Sequence, residues 1–283
     1  MPKNHKPAGR RILVVAAFGL TLVIGLLLNS GCASSPSAAK GGESFRVMTY
    51  NIHHGEGLDG VVDLKRIAGV IRKEKPDLVA LQEVDRGTER TRRRDFPAEL
   101  AALTGMACVF SNNYSFQGGE YGNAILSRFP VKSVANHHYR MRRFGEQRGL
   151  LQTVVDVRGH ELVLLNTHLD HRPDDTERLA SAEELQQVLQ RYEDRPMILC
   201  GDFNDVPGSR TWQKIAELFQ DAWMAAGEGT GFTSPASRPA RRIDYLWVTG
   251  FRVTPLRLWV PLSDASDHLP VVGDFKFRAP LTQ

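Results

Sequence analysis

The amino-acid sequence predicts an α/β fold, in which buried strands alternate with amphipathic helices. Short apolar runs stop abruptly at acidic, amide or imidazole side chains, as in residues 197–205, Met-Ile-Leu-Cys-Gly-Asp-Phe-Asn-Asp. Such runs are typical of buried strands that turn out of a sheet at their carboxyl ends. Segments with apolar residues three and four apart, such as 63–71, lie between them and predict helices. The length of 283 residues and the 42% apolar content suffice for one large domain.

The N-terminal segment, residues 1–32, is predicted to be an export signal. A basic stretch precedes an apolar run at 12–28, and small residues surround Cys32. The pattern resembles a bacterial lipoprotein signal, which implies that Cys32 is lipidated, although Asn29 stands where that pattern prefers Leu. An uncleaved membrane anchor is the alternative, because the run is near the lower limit for crossing a bilayer. Both interpretations predict export to the bacterial cell envelope, with residues 33–43 as a flexible linker.

The predicted globular domain spans residues 44–277 and is followed by a tail at 278–283. Its first strand, 45–51, ends on Asn51. Asp63 is expected to cap a helix whose apolar side chains share one face. Further strands are predicted at 77–85, 118–127, 131–139, 149–157, 161–166, 197–202, 242–248 and after Pro270, and further helices at 98–103, 177–192 and 210–219.

The charge pattern favours an anionic partner. The net charge is only +4, but arginines are clustered at 90–94, 140–143 and 238–242. Clustered cations suit an anionic partner better than an even excess would, although solvated loop surface explains each single cluster as well.

Polar side chains end many of the predicted strands. An isolated ending of this kind is usually a loop residue that hydrogen-bonds its own backbone. So many are hard to arrange as independent surface features, and they therefore predict one site. The residues are Asn51, Glu83, His168, Asp202, Asn204, Asp244, Asp267 and His268.

The residue types at these strand ends predict metal-dependent chemistry at phosphorus. Glu83, Asn51 and Asp267 are hard oxygen donors of the kind that Mg²⁺ or Mn²⁺ prefers. The absence of a cysteine ligand set and of His-Glu-x-x-His argues against a zinc protease; Cys108 and Cys200 are interpreted as core residues, although a pairing between them stays open. A hard cation with few protein ligands keeps positions for water and phosphate oxygens.

These segments also resemble the endonuclease/exonuclease/phosphatase superfamily, which includes DNase I-like nucleases, neutral sphingomyelinases and inositol polyphosphate 5-phosphatases. The resemblance covers roughly residues 44–277 and implies a four-layer α/β/β/α sandwich of two mostly antiparallel sheets flanked by helices, with the site at one rim. The motifs that carry it are Asn51, Leu81-Gln82-Glu83, Tyr121-Gly122-Asn123, Asn166-Thr167-His168-Leu169, Gly201-Asp202-Phe203-Asn204, Ile243-Asp244-Tyr245 and Ser266-Asp267-His268-Leu269-Pro270.

The resemblance implies a role for each motif residue. Glu83 is expected to be the principal metal ligand, completed or supported by Asn51 and Asp267. Asp202 is expected to orient or deprotonate the attacking water. Which group is the acid and which the base stays open.

The remaining motif residues are expected to surround the scissile phosphate. Asn204 is expected to bind it, and His168 and His268 to flank it. Asp244 is expected to orient His268 and to raise its basicity, so that a cationic imidazole could stabilise negative charge.

Four further residues are candidates for substrate binding. Arg148 and Arg242 precede strands at the expected rim, His53 follows Asn51 closely, and Asn123 belongs to a motif. Solvated side chains explain the two arginines equally well.

We expect a monomeric phosphodiesterase or phosphomonoesterase that uses direct in-line attack of water, because no Ser, Thr or Cys nucleophile paired with a base is evident. The arginine clusters favour a secreted endonuclease, whereas the membrane tether favours a phospholipid headgroup or a small phosphoester. Aromatic residues are not interleaved with the basic runs, as they would be in a stacking platform for nucleic acid. A non-catalytic binding lipoprotein of the envelope is the alternative from a different class.

Overall fold

The computed structural model describes residues 44–278 except residue 193. The predicted export signal at 1–32, its Cys32, the linker at 33–43 and the tail beyond residue 278 lie outside the described residues. Within the described part of the chain, none of the helices has the length and apolar character that crossing a bilayer requires.

The first sheet has six strands in the order β11-β12-β1-β2-β4-β3. Strands β1 and β2 are parallel, and the other neighbours are antiparallel. The strand bounds are β1 Phe45–Asn51, β2 Leu78–Arg86, β3 Ala107–Phe116, β4 Gly119–Ser127, β11 Val253–Trp259 and β12 Val271–Phe277.

The second sheet also has six strands, in the order β5-β6-β7-β8-β10-β9. Here β7 and β8 form the parallel pair. The strand bounds are β5 Val131–His138, β6 Gly149–Val157, β7 His160–His168, β8 Met197–Asp202, β9 Gln220–Asp221 and β10 Asp244–Val248.

The described residues form five α-helices beside the sheets: α1 Leu64–Glu74, α2 Phe96–Thr104, α3 Thr176–Leu189, α4 Arg210–Ala216 and α5 Ala222–Ala226. The predicted cap is confirmed, because the Asp63 side chain accepts a hydrogen bond from the backbone N–H of Lys65. Asp95 caps α2 in the same way through the N–H of Ala98. Short polar side chains at these positions satisfy donors that the first helical turn leaves unpaired.

Apolar side chains fill three spaces between four layers. Phe45 and Leu78 of the first sheet meet Leu164 and Leu246 of the second in the central space. Helices α1 and α2 pack on the outer face of the first sheet, and α3 and α4 on the outer face of the second. The predicted four-layer α/β/β/α sandwich is therefore confirmed.

Three strands and the short helix α5 are absent from the sequence-based prediction, and the end of α4 differs from it. Strand β3 carries the polar run Ser-Asn-Asn-Tyr-Ser and lies at a sheet edge, so it lacks the apolar signal of a buried strand. Strand β11, also at an edge, contains Pro255, and β9 has only two residues. Helix α4 ends at Ala216 rather than at 219, because a turn at 217–218 leads the chain into β9.

Buried amide side chains join the two sheets near the end where the parallel strands finish. Asn166 on β7 donates hydrogen bonds to the carbonyl oxygens of Leu81 (2.8 Å) and Ala124 (2.9 Å) in the first sheet. Its own side-chain oxygen accepts a hydrogen bond of 2.7 Å from Gln82 on β2. A buried amide whose partners are all present fixes one arrangement of the elements that it joins.

We expect Asn166→Ala to lower the free energy of unfolding by about 3 kcal/mol, because three buried hydrogen bonds are lost and two carbonyl groups keep no donor from this side chain. Chemical denaturation followed by circular dichroism measures this loss. Gln187→Ala removes an exposed amide from α3 and is the control, with an expected change within about 0.5 kcal/mol. Equal effects of the two substitutions would contradict the joining role of Asn166.

Candidate active site

A cleft of about 320 Å³ opens at the rim where the parallel strands of both sheets end. Asn51, His168 and Asp202 are the last residues of β1, β7 and β8. Asp244 begins β10, which runs antiparallel to β8 and therefore starts at the same rim. Carboxyl ends of parallel strands are where open α/β folds place their ligands.

The structure brings the eight strand-end residues to this one cleft. Six of them line it directly: Glu83, His168, Asp202, Asn204, Asp267 and His268. Asn51 and Asp244 lie behind the lining, each hydrogen-bonded to a lining side chain.

Asn51 connects the carboxylates of the two sheets. Its side-chain nitrogen lies 3.0 Å from Glu83 Oε1 on β2 and 3.0 Å from Asp202 Oδ2 on β8. Its side-chain oxygen accepts the backbone N–H of His53 at 3.0 Å. A single amide thus fixes the spacing between two acidic groups that are 119 positions apart in the chain.

Asp202 has the environment of a base that works near neutral pH. Burial, and the neighbouring Asp244 carboxylate, raise the pKa of Asp202 to about 7. The backbone N–H of Asn204 donates to its Oδ1 at 2.9 Å and fixes the orientation of the carboxylate. A carboxylate with a pKa raised toward the working pH accepts a proton from water more readily than an ordinary Asp.

The structure pairs His268 with Asp244. His268 Nδ1 lies 2.9 Å from Asp244 Oδ2, which also accepts a 2.6 Å hydrogen bond from the Thr233 hydroxyl. Burial opposes the charged imidazole, but the Asp244 and Asp202 carboxylates raise the pKa of His268 to about 10. The imidazole is therefore a cation at neutral pH, and its Nε2 lies 3.8 Å from Asp202 Oδ2.

His168 has the opposite electrostatic environment. Burial, and the positive charge of Arg148, hold the pKa of His168 well below its usual range. Arg148 Nη1 lies 3.1 Å from His168 Nδ1. A neutral ring accepts at one nitrogen only, and the charged guanidinium is a stronger donor than the Asn204 amide, so Nδ1 accepts and the proton lies on Nε2. That nitrogen lies 3.6 Å from Asp202 Oδ2. The Asn204 amide nitrogen, 3.1 Å away, donates instead to the Leu169 carbonyl oxygen.

Glu83 and Asp267 provide the accessible oxygen donors of the cleft. The Glu83 carboxylate accepts a hydrogen bond from Asn51 and forms no ion pair with any described residue. The Asp267 side chain is 47% exposed, and its Oδ1 lies 3.8 Å from His53 Nδ1. Partly solvated carboxylates that form no ion pair with a described arginine or lysine fit a hard divalent ion that keeps several of its waters.

Asp202, Asp244 and His268 also place ligand atoms within 4.8 Å of one another. Their geometry favours proton chemistry over metal binding. Asp244 Oδ2 already accepts two hydrogen bonds, and His268 Nδ1 is the donor of one of them. The oxygen donors that remain open to an ion are therefore those of Glu83 and Asp267.

Four cleft residues other than glycine have a left-handed backbone: His53 (φ 44°), His54 (φ 42°), Glu83 (φ 60°) and Asn204 (φ 51°). At Glu83 the pairing of β2 with β4 shifts register, which turns this side chain toward the cleft. Such conformations cost free energy and persist where the surroundings impose them, commonly at functional sites.

Two predicted substrate-binding residues do not reach the cleft. Arg242 is 4% exposed, and its guanidinium is 2.8 Å from Asp221 and lies over the Tyr245 ring. Asn123 is also buried and bonds the carbonyl oxygens of Gly149 and Asn166 in the other sheet. Both substrate-binding expectations are wrong for the same reason. Each polar group already forms hydrogen bonds or an ion pair with buried partners inside the fold.

The other two candidates do line the cleft. The guanidinium of Arg148 is occupied, however, because it also contacts His171 Nδ1 at 3.2 Å and Glu146 at 3.0 Å. Its position indicates that it orients His168 and closes the wall. His53 points its Nδ1 toward Asp267.

Sequence reasoning missed one wall of the cleft, formed by Arg90, Tyr114 and Phe116. The two aromatic residues are separated by one position and precede the turn at 117–118, which leads into the strand with the Tyr121-Gly122-Asn123 motif. That spacing was the available signal, because residues two apart on a strand share a face.

Comparison with known proteins agrees with the resemblance of the sequence motifs. The model of the Endonuclease/Exonuclease/phosphatase family matches residues 48–268. An uncharacterised Escherichia coli (strain K12) protein, YbhP, is 28% identical over 259 residues, covering 82% of this chain and 96% of that protein. The 5′-tyrosyl-DNA phosphodiesterase of Caenorhabditis elegans is 28% identical over 217 residues, covering 70% of this chain and 54% of that protein.

A solved structure is also similar. The crystal structure of an endonuclease/exonuclease/phosphatase from Beutenbergia cavernae is 30% identical and superposes with a TM-score of 0.70. The similarity covers 84% of this chain and 73% of that one.

Proposed function

The chain belongs to the endonuclease/exonuclease/phosphatase family, and from this premise we propose that it is a divalent-metal-dependent phosphoester hydrolase in which water attacks phosphorus directly. One observation carries the proposal. Asn51 holds the metal-type donor Glu83 and the base-type donor Asp202 at a fixed spacing, with two histidines of opposite character beside them.

Different residues of the chain would perform the separate tasks of the hydrolysis. Asp202 takes the proton of the attacking water, because its raised pKa suits a base near neutrality. Asn204 and the Nε2–H of neutral His168 donate to phosphoryl oxygens, whereas cationic His268 stabilises the negative charge that develops in the transition state.

Glu83 and Asp267, supported by Asn51, would hold the divalent ion, for which we propose Mg²⁺ or Mn²⁺. When bound, such an ion withdraws charge from a phosphoryl oxygen and makes phosphorus more electrophilic. We propose a phosphoester as substrate, from a nucleic acid, a phospholipid headgroup or a small molecule. The similarity to a 5′-tyrosyl-DNA phosphodiesterase supports phosphodiester chemistry.

We also propose that the protein is exported and anchored in the cell envelope through lipidated Cys32. The support is the sequence alone, in which an apolar run precedes Gly31-Cys32. Labelling of the full chain in a bacterial host with radioactive palmitate is expected to mark the wild type and not Cys32→Ala. Equal labelling of the two would overturn the lipoprotein assignment, and equal export without labelling would favour the uncleaved anchor.

Glu83→Gln is expected to weaken Mn²⁺ binding by about tenfold to a hundredfold, because an ionised oxygen donor becomes neutral. Isothermal titration calorimetry measures the affinity, and hydrolysis of bis-p-nitrophenyl phosphate with and without EDTA measures the activity. Glu183→Gln, on an exposed face of α3, is the matched control and is expected to leave both unchanged. Activity that survives EDTA, or an unaltered Mn²⁺ affinity in Glu83→Gln, would refute the metal assignment.

His268→Ala is expected to lower kcat by about a hundredfold or more, as the loss of one transition-state stabiliser typically does. Asp244→Asn is expected to lower kcat as well, because the imidazole loses the carboxylate that keeps it charged. Steady-state kinetics on the same substrate checks both, with exposed His160→Ala as the control. A change confined to KM would show that His268 only binds substrate.

A further inference from the structure

We propose that the cleft contains a stacking subsite for a nucleobase, formed by Tyr114, Phe116 and Arg90, and that the substrate is therefore a single-stranded nucleic acid. This inference rests on the proposed phosphoester hydrolase function and names the substrate of the same site. The sequence alone argued against it, because no aromatic residue is interleaved with the basic runs.

The aromatic wall is built from one face of an edge hairpin. Tyr114 and Phe116 alternate along β3, and their rings stack with centroids 6.0 Å apart and planes inclined by 28°. Both side chains are partly exposed and line the cleft. Because the Arg90 guanidinium lies over Phe116, the surface left to a base is the exposed part of the Tyr114–Phe116 stack together with that guanidinium.

Arg90 extends this wall with a fixed planar cation. Its guanidinium lies 4.9 Å from the centroid of Phe116 and 5.3 Å from that of Tyr121. Two hydrogen bonds of 2.8 Å tie it to Asp85, whose side chain is fully buried. A guanidinium immobilised in this way loses little entropy when it stacks on a base or pairs with a phosphate.

The wall lies at a suitable distance from the reaction centre. Asp85 on β2 pairs with Tyr121 on β4, which pairs with Tyr114 on β3. Glu83 stands two residues before Asp85. Because neighbouring strands are about 4.8 Å apart, Tyr114 lies two strand spacings, about 10 Å, from the strand that carries Glu83. A single nucleoside unit can cover such a separation between a reacting phosphate and a base.

A basic groove continues from the same wall. Arg90 also lines this second groove, together with Arg92, Arg94 and residues 60–62. The loop at 87–94, the arginine loop, is held against the hairpin of β3 and β4, since Arg93 donates to the Gln117 carbonyl oxygen at 2.9 Å. Arg90 and Arg94 are paired with Asp85 and Glu99, so the exposed Arg92 is the cation of this groove that no described acid pairs with. A cation beside a stacking site is complementary to a phosphate backbone.

The same geometry disfavours a choline headgroup. Aromatic walls can bind quaternary ammonium groups through their faces. Here, however, the guanidinium of Arg90 already covers Phe116 and Tyr121, and its positive charge repels a second cation. A neutral base with an anionic backbone avoids that repulsion.

The test compares two strands of equal charge. One is a single-stranded oligodeoxythymidylate, and the other has the same length and phosphates but carries abasic tetrahydrofuran units. With Mn²⁺, the wild type is expected to cleave the base-bearing strand with about tenfold higher kcat/KM, as the loss of one base–aromatic stack typically costs. Phe116→Leu and Tyr114→Leu are expected to abolish this preference by raising KM for the base-bearing strand to the value for the abasic strand.

A binding measurement separates the subsite from catalysis. In EDTA, an oligonucleotide that contains 2-aminopurine is expected to lose fluorescence on binding to the wild type, because the base stacks, and to lose much less with Phe116→Leu. Phe251→Leu is the matched control. Phe251 is an exposed aromatic residue that contacts the guanidinium of Arg252. It lies shortly after the end of β10, and because β10 begins at the cleft, Phe251 is at the opposite end of the second sheet.

Equal kcat/KM for the two strands, or equal losses on both strands in the aromatic variants, would overturn the subsite. Hydrolysis of glycerophospholipids or hexose phosphates in preference to oligonucleotides would overturn the substrate class and leave the hydrolase function intact. Failure of the metal-loaded wild type to cleave even bis-p-nitrophenyl phosphate would instead refute the proposed function, and the fluorescence measurement would still decide whether the subsite binds a base.

Discussion

Buried amides between the two sheets hold the site of this protein together. The catalytic candidates come from both halves of the sandwich. Apolar packing alone holds two sheets together, but it only weakly opposes the sliding of one sheet over the other. Asn166 bonds backbone carbonyls on β2 and β4 from β7, and Asn51 joins Glu83 to Asp202. Each amide would be left unsatisfied if the sheets slid, so the buried polar groups select one register.

Two histidines that flank the same carboxylate are given different charges by their partners. Asp244 keeps His268 protonated, whereas Arg148 keeps His168 neutral and its proton on Nε2. Both rings can donate a hydrogen bond into the cleft, but only one brings a full charge. Two cations beside Asp202 would hold its pKa down and weaken it as a base, and two neutral rings would leave the developing negative charge without a counter-charge.

Much of the fold and of the reactive centre could be predicted from the sequence, because the signals were local. A strand end at Asp202 or a cap at Asp63 is visible within a few residues. The wrong and missing assignments depended on contacts between distant segments. Arg242 is consumed by Asp221, and Asn123 by carbonyl groups of the other sheet. The aromatic wall depends on the contact between Arg90 and Phe116, which are 26 positions apart. Phe116 lies on the edge strand β3, whose polar composition lacks the signal of a buried strand.

The proposed reaction centre and the proposed recognition wall lie on different strands. Reactive side chains stand at the ends of inner strands such as β1, β7 and β8, where hydrogen bonds on both sides restrain them. The aromatic wall stands on β3, an edge strand, and the arginine loop packs on its hairpin. Gly119 permits this contact, since a Cβ there would lie 2.3 Å from the backbone of Gly87. Because edge strands and loops tolerate change better than inner strands, substrate preference can vary here while the inner strands keep the geometry that the reaction requires.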